Sequence, residues 1–365
     1  MKITFPHMGN VYLAVKALFD GLGSEYVIPP FNSKTALEIG SLHSPEEICL
    51  PFKLMIGNYI QAIEEGADTV IITGSCGPCR FGEYCEMQMC LLRQLGHPVD
   101  FIVIDAPKDI GAGELLKRLA KIAKSGDKPR LMKWNALLQA VRIMHRVDAL
   151  EARAHELAGY EKKKGECKKI LNECRRDAFL SNDPKEMLNI LARRREQLDA
   201  VETDPARDPL KIAVIGEIYT IIEPYSNLYI EDKLMDYGVS TKRKLTPSWW
   251  VKNMITSPTG LHALDIKRAS KKYLPYYIGG HAKECIGEAV MAMEDGMDGA
   301  IQIFPMGCMP EIVAKSVLPA VSRDHDFPIL SLVVDEMTGE AGFVTRIEAF
   351  LDLLERRKAN GISRH

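Results

Sequence analysis

A chain of 365 residues is long enough for two or three domains, each with a sizeable core. Its composition, 46% hydrophobic and 26% charged, is that of a globular protein, and a net charge of -2 gives no electrostatic case for nucleic acid or an anionic membrane as partner. The opening MKITFPHMGN lacks the apolar core of a signal peptide and no stretch approaches a membrane span, so a cytoplasmic location is expected, where nine cysteines point to metal or redox chemistry rather than to disulfides.

Residues 2–5 predict a short strand, and residues 11–22 an amphipathic helix closed by Gly23. Residues 25–28 predict a second strand, followed by a polar loop. Ser44, Pro45 and Glu47 have the pattern of a helix start, with Ser44 as N-cap, which puts Cys49 in or beside a first helical turn ahead of Pro51. Residues 53–65 continue as helix. The β-branched run Val70-Ile71-Ile72-Thr73 predicts a buried strand that ends in GSCGPC. Gly74 and Gly77 allow a sharp turn and close approach to a bulky group, and Pro78 fixes φ after it. Cys85 and Cys90 follow on a predicted helix, Cys90 toward the core, and residues 101–105 predict a further strand. Alternating strands and helices imply an α/β fold with a parallel sheet.

Composition shifts near Asp127. From there to about Val201 the chain is dense in Lys, Arg and Glu, with apolar residues at helical spacing, which predicts two or three long helices. Cys167 and Cys174, seven apart on one face, read as buried thiols. The DPARDP stretch at 204–209 is a linker. Residues 211–215 then open a second α/β region, with strands predicted at 276–278, 300–304 and 329–334 and a C-terminal helix over 341–357. The expected organisation is a domain over 1–128, a helical segment over 129–206 and a second domain over 207–365.

The two α/β regions echo each other. Residues 64–78 read EEGADTVIITGSCGP and residues 294–310 read EDGMDGAIQIFPMGCMP. An acidic pair, Gly, Asp, an apolar strand and Gly-x-Cys-x-Pro recur. Each region thus puts a cysteine at the carboxyl end of a strand, where open α/β sheets bind ligands. Two such domains facing each other would bring Cys76 and Cys308 to one cleft.

Cys49, Cys76, Cys79 and Cys308 are each flanked by Pro or Gly at a loop or helix start. Thiolates there are favoured as anions, which suits metal ligation. Gly77, Pro78 and Gly307 shape the loops that carry them. Structural zinc usually shows two close ligand pairs, and only one is present here. Cys85 and Cys285 suit either ligation or packing. Six cysteines would supply three for each of two cubanes. His281 and Glu284, beside Cys285, suit either proton transfer or helix capping. Arg346 and Glu348 suit an ion pair on the last helix. With no G-x-x-x-x-G-K-[ST] loop, any ATP chemistry must reside on a partner.

Four stretches, GSCGPCRFGEY, EICLPFKLMIGNYIQAIEEGAD, FPMGCMPEIVAKSVLPA and DEMTGEAGFVTRIEAF, resemble the 2-hydroxyacyl-CoA dehydratase component and activase-related family, which includes double-cubane cluster proteins. The resemblance covers both α/β regions. It implies two Rossmann-like domains with parallel sheets and an iron–sulfur cluster: a [4Fe–4S] cluster on Cys49, Cys76 and Cys308, with Cys79 as fourth ligand, or a double-cubane [8Fe–9S] cluster if Cys85 and Cys285 join. It also implies low-potential electrons delivered by a separate ATP-hydrolysing iron–sulfur activator. The functions expected are electron transfer or reductive chemistry at the cluster, a dehydratase subunit acting on a 2-hydroxyacyl-CoA, or a non-catalytic cluster or zinc carrier. A homodimer is a further expectation.

Overall fold

The computed structural model describes residues 1–74, 80–105, 110–256 and 263–361. The fold is mixed α/β, with two parallel sheets and, among the described residues, 15 α-helices. The chain divides into two compact units. The first comprises Met1–Asp148, Cys174–Arg193 and Pro247–His262; the second comprises Ala149–Glu173, Arg194–Thr246 and Ala263–His365.

The first unit is built on β1 (Ile3–Thr4), β2 (Thr69–Thr73) and β3 (Asp100–Ile104), parallel and in that spatial order. The β-branched run of β2 fills the middle, with Val70 and Ile72 buried on one face and Ile71 partly buried on the other. The strand predicted over 25–28 contracts to one bridge between Ile3 and Tyr26. Helix Val11–Leu22 forms as its pattern predicts, and Gly23 caps it at φ 70.

The polar loop expected after residue 28 instead contains helix Lys34–His43, started by Ser33, whose side chain accepts from the Ala36 N–H. Ser44 therefore ends a helix rather than starting one, its own N–H donating to the Gly40 carbonyl. The next helix is Leu50–Glu64. The two pack backbone to backbone. A Cβ on Gly40 would lie 1.7 Å from the Lys53 carbonyl oxygen, and one on Gly57 1.8 Å from that of Ala36.

The second unit holds β4 (Lys211–Gly216), β5 (Ser240–Lys242), β6 (Gly299–Pro305) and β7 (Ile329–Val334), all parallel, in the order β5-β4-β6-β7. With the Tyr26 bridge counted as its second strand, the first unit has the same order: bridge, β1, β2, β3. The strands that correspond are β1 with β4, β2 with β6 and β3 with β7, and the match of β2 with β6 is the one that the sequence echo predicts. Helices Ala282–Glu294 and Met309–His325 bury Ala282, Cys285, Ala289, Ala314 and Leu318 in one cluster with strand residues Ala213 and Ile215. The strand predicted over 276–278 does not form. Tyr276 and Tyr277 are exposed, and the aromatic run had imitated a β signal. Arg346 and Glu348 do not pair. Two residues apart on helix Glu340–Ala359 they point to different faces, so Arg346 donates to the Ser331 carbonyl and Glu348 accepts from the Tyr237 hydroxyl.

The middle of the chain forms helices Arg130–Leu157, Glu166–Leu180 and Pro184–Asp199, and the division between units falls inside each. Cys167 and Cys174 are buried. Among the described residues no helix is long and apolar enough to cross a membrane.

Candidate metal centre

In the first unit the carboxyl end of β2 runs into Gly74, whose N–H donates to the Ile104 carbonyl at 3.0 Å. Only glycine fits: a Cβ there would lie 1.7 Å from Asp105 Oδ1. Asp105 is itself held by Arg118, which donates from Nη1 to the carboxylate and to the Val103 carbonyl, both at 2.7 Å. The loop that follows, with Cys76, Gly77, Pro78 and Cys79, lies outside the described residues.

Cys49 is the N-cap residue of helix Leu50–Glu64, with φ -69 and ψ 153 and a proline in the first turn. It is half-buried, and its thiol makes a hydrogen bond with the buried hydroxyl of Tyr84. Tyr84 is fixed edge-on against Phe52, with ring centroids 5.0 Å apart. The position of Cys49 is the predicted one, although the helix it caps starts later than the Ser44 pattern suggested. Cys85 is the second residue of helix Tyr84–Gln94 and half-buried. Burial pushes its thiol above the ordinary range; the Glu86, Asp105 and Glu83 carboxylates add to that, and an N–H bond from Glu86 opposes it. Cys90, expected to face the core, is exposed. The buried face of this helix runs through Tyr84, Gln88 and Leu92, and Cys90 lies off it.

In the second unit β6 ends at Pro305, and Gly307 turns the chain at φ 76. Cys308 follows as the N-cap residue of helix Met309–His325, with φ -71, ψ 100 and again a proline in the first turn. It too is half-buried. Cys49 and Cys308 are thus built alike: an extended cysteine, then Leu-Pro or Met-Pro, then helix. In each case the cysteine carbonyl accepts a helical N–H, from Phe52, three residues on, at 3.0 Å and from Ile312, four residues on, at 2.9 Å.

His281 is the N-cap residue of helix Ala282–Glu294, without a side-chain cap bond, and Glu284 lies in the first turn. Cys285, one residue further, is fully buried. Burial pushes its thiol well above the usual range, and the Glu311 carboxyl pushes it further.

Around Cys285 the structure gathers residues that sequence reasoning did not single out. Glu311 is 1% exposed, and its Oε2 accepts from Gln302 Nε2 at 2.9 Å; the Gln302 Oε1 accepts from Ser331 Oγ at 2.7 Å. Glu288 is equally enclosed, and neither of its carboxyl oxygens has a hydrogen-bond partner among the described residues. Burial raises both carboxyls, Glu311 to about 8. The signals were present: Gln302 interrupts the apolar strand AIQIF, and Glu288 interrupts the apolar helix face IGEAVMAM. Among the described residues no group of three His, Cys, Asp or Glu side chains is disposed to hold a metal ion.

Fold and site together define an α/β protein of two similarly wound parallel-sheet units, each with a cysteine starting a helix in the same way. Residues 12–354 match the family model of the 2-hydroxyglutaryl-CoA dehydratase D-component, and the chain belongs to that family. A comparison with curated proteins matches none of them.

Proposed function

We propose that this chain is an iron–sulfur protein that takes low-potential electrons from an ATP-hydrolysing activator, with Cys49, Cys76, Cys79 and Cys308 as the ligands of one [4Fe–4S] cluster. The observation that carries this reading is the matched construction of Cys49 and Cys308. Each is a half-buried thiol at the start of a helix, where unpaired N–H groups and the helix dipole favour the thiolate. That donor set is soft and anionic, which fits iron–sulfur ligation. When bound, such a cluster supplies one-electron transfer at low potential. The chain's own residues then have separate tasks. Gly307 turns the chain ahead of Cys308, Tyr84 orients the Cys49 sulfur, and His281 with Glu284 handle protons at the start of their helix. Cys285 is left out of the ligand set, because it is fully buried in the core cluster with Ala282, Ala289, Ala314 and Leu318. That in turn favours the single cubane over the double-cubane [8Fe–9S] form.

A second reading, a dehydratase subunit acting on a 2-hydroxyacyl-CoA, is favoured by the family match. Four cysteines on one cubane leave no open iron for a substrate, which sets it second.

Anaerobic purification followed by iron and acid-labile sulfide analysis tests the proposal. About four irons per chain are expected, lost in Cys76→Ser and in Cys308→Ser and retained in Cys174→Ser. About eight irons, lost in Cys85→Ser and Cys285→Ser, would replace the single cubane by the double one. Zinc without sulfide would overturn both. Dehydration of a 2-hydroxyacyl-CoA by the activated protein would move the second reading ahead of the first.

A further inference from the structure

Helix Arg130–Leu157 carries two apolar stripes. Ala136, Ala140, Ile143 and Val147 are buried in the first unit, at the spacing of one helix face. Leu131, Trp134, Leu138 and Val141 form the other. Their steps of three, four and three residues are the a and d positions of a heptad, and at 100° per residue they lie nearly opposite the buried stripe. Leu131 is 84% exposed, and Trp134 and Leu138 are 55% exposed each. Three large side chains aligned on one seam are more than the scattered exposure any surface shows.

The charge around the seam is as uneven as its hydropathy. On the seam helix Arg130, Lys133, Arg142 and Arg146 stand with no Asp or Glu before Asp148, a net of +4 in a chain whose total is -2. Arg142 stands at an e position beside the seam, and no acidic residue occupies an e or g position between Leu131 and Val141.

We propose that this seam docks a separate protein that presents an acidic helix with its own apolar stripe. Two observations select that occupant. Pairing seam to seam with a second copy would set one +4 helix segment against another, and like charges across an interface are unfavourable. The a and d spacing with 3.5-residue periodicity, with exposed Leu137 flanking the seam at a g position, suits knobs-into-holes packing against another helix. The basic surroundings would speed encounter and set polarity, and Leu131, Trp134 and Leu138 would supply the anchors.

The full-length protein is titrated with a labelled peptide of about four heptads, Leu at a and d and Glu at e and g, which its own charge keeps from self-pairing. Fluorescence anisotropy should report saturable binding that weakens severalfold as salt rises to ~0.3 M. The triple variant Leu131→Ser, Trp134→Ser, Leu138→Ser, all at exposed positions, should bind at least about tenfold more weakly with an unchanged circular dichroism spectrum. The same peptide with Lys at e and g should not bind. Equal binding of the Lys peptide, equal binding by the variant, or no binding at all would overturn the proposal. So would binding to anionic phosphatidylglycerol vesicles that the variant loses while the Glu peptide stays unbound. Light scattering that shows a dimer of the wild type and a monomer of the triple variant would assign the seam to a second copy instead.

Discussion

Replacing Glu311 by glutamine tests the buried polar group of the second unit. Glu311 is 1% exposed and its carboxyl titrates at about 8, raised from 4.5 by burial, with Gln302 and Cys285 hydrogen bonds opposing and the Glu217 and Glu284 carboxylates adding to the rise. A carboxyl raised on folding holds its proton in the native state after the unfolded chain has lost it. Its contribution to stability is complete below pH 4.5 and disappears as pH rises through about 8. Each pH unit in that window removes about 1.4 kcal/mol, so between 4.5 and 7.5 Glu311 alone removes on the order of 4 kcal/mol. Glu288, raised in the same sense, adds a second proton. Glu311→Gln has nothing to ionise and keeps an oxygen to accept from Gln302. Urea unfolding followed by far-ultraviolet circular dichroism at several pH values reads the slope. The wild type should lose stability with pH along a slope of about two protons, and the variant along a slope smaller by about one. Tryptophan fluorescence serves as a comparison, since Trp134, Trp249 and Trp250 all lie in the first unit. Parallel slopes for wild type and variant would show that Glu311 is already ionised in the native protein and refute the reasoning.

Arg243→Met should cost about 3–5 kcal/mol, since Arg243 is 6% exposed and its loss takes that cation from Glu151 and leaves Glu231 with His155 alone. Burial opposes ionisation of Glu231, yet Arg243 and His155 hold it at about 2. The wild type therefore keeps this contribution above pH 4.5 and loses it as pH falls toward 2, a limb that should be smaller in acid titration of the variant, where His155 alone remains beside Glu231. Gly57→Ala should lower the thermal midpoint by an amount that corresponds to about 1–3 kcal/mol, because its Cβ meets the Ala36 carbonyl oxygen. Gly113→Ala, on helix Ala112–Lys124 with nothing within 4 Å, should leave the midpoint unchanged or raise it, and a midpoint equal to that control would count against tight helix packing.

Much of the α/β framework was legible because its signals are local. β2, β6 and β7 are mostly apolar and β-branched, and helix Val11–Leu22 has an apolar face and a terminal glycine. The echo between residues 64–78 and 294–310 anticipated that β2 and β6 correspond, because a strand and the segment that leads into it are encoded together. Where reading failed, tertiary context had decided. The Ser44-Pro45-Glu47 pattern was outweighed by Ser33, which caps a helix that needs Gly40 and Gly57 to reach its neighbour, a requirement visible only in three dimensions. β5, three residues long, leaves too few positions for a periodicity. At the site, Cys49 and Cys308 could be placed at helix starts from Pro51 and Pro310. The Cys285, Gln302 and Glu311 contact joins a helix, a strand and a second helix, and no spacing along the chain announces it.

Cys49 and Cys308 stand where serine would be the better structural choice. Neither makes a side-chain cap bond, and a hydroxyl in that place is worth about 1 kcal/mol to a helix. The chain therefore carries, at two of its helix starts, residues that weaken the polypeptide as a polymer. Heat resistance and sulfur content pull in opposite directions at these positions. A library of variants sorted by thermal tolerance alone would enrich serine at 49 and 308 and so discard the two thiols, and any effort to harden this protein must hold those positions fixed.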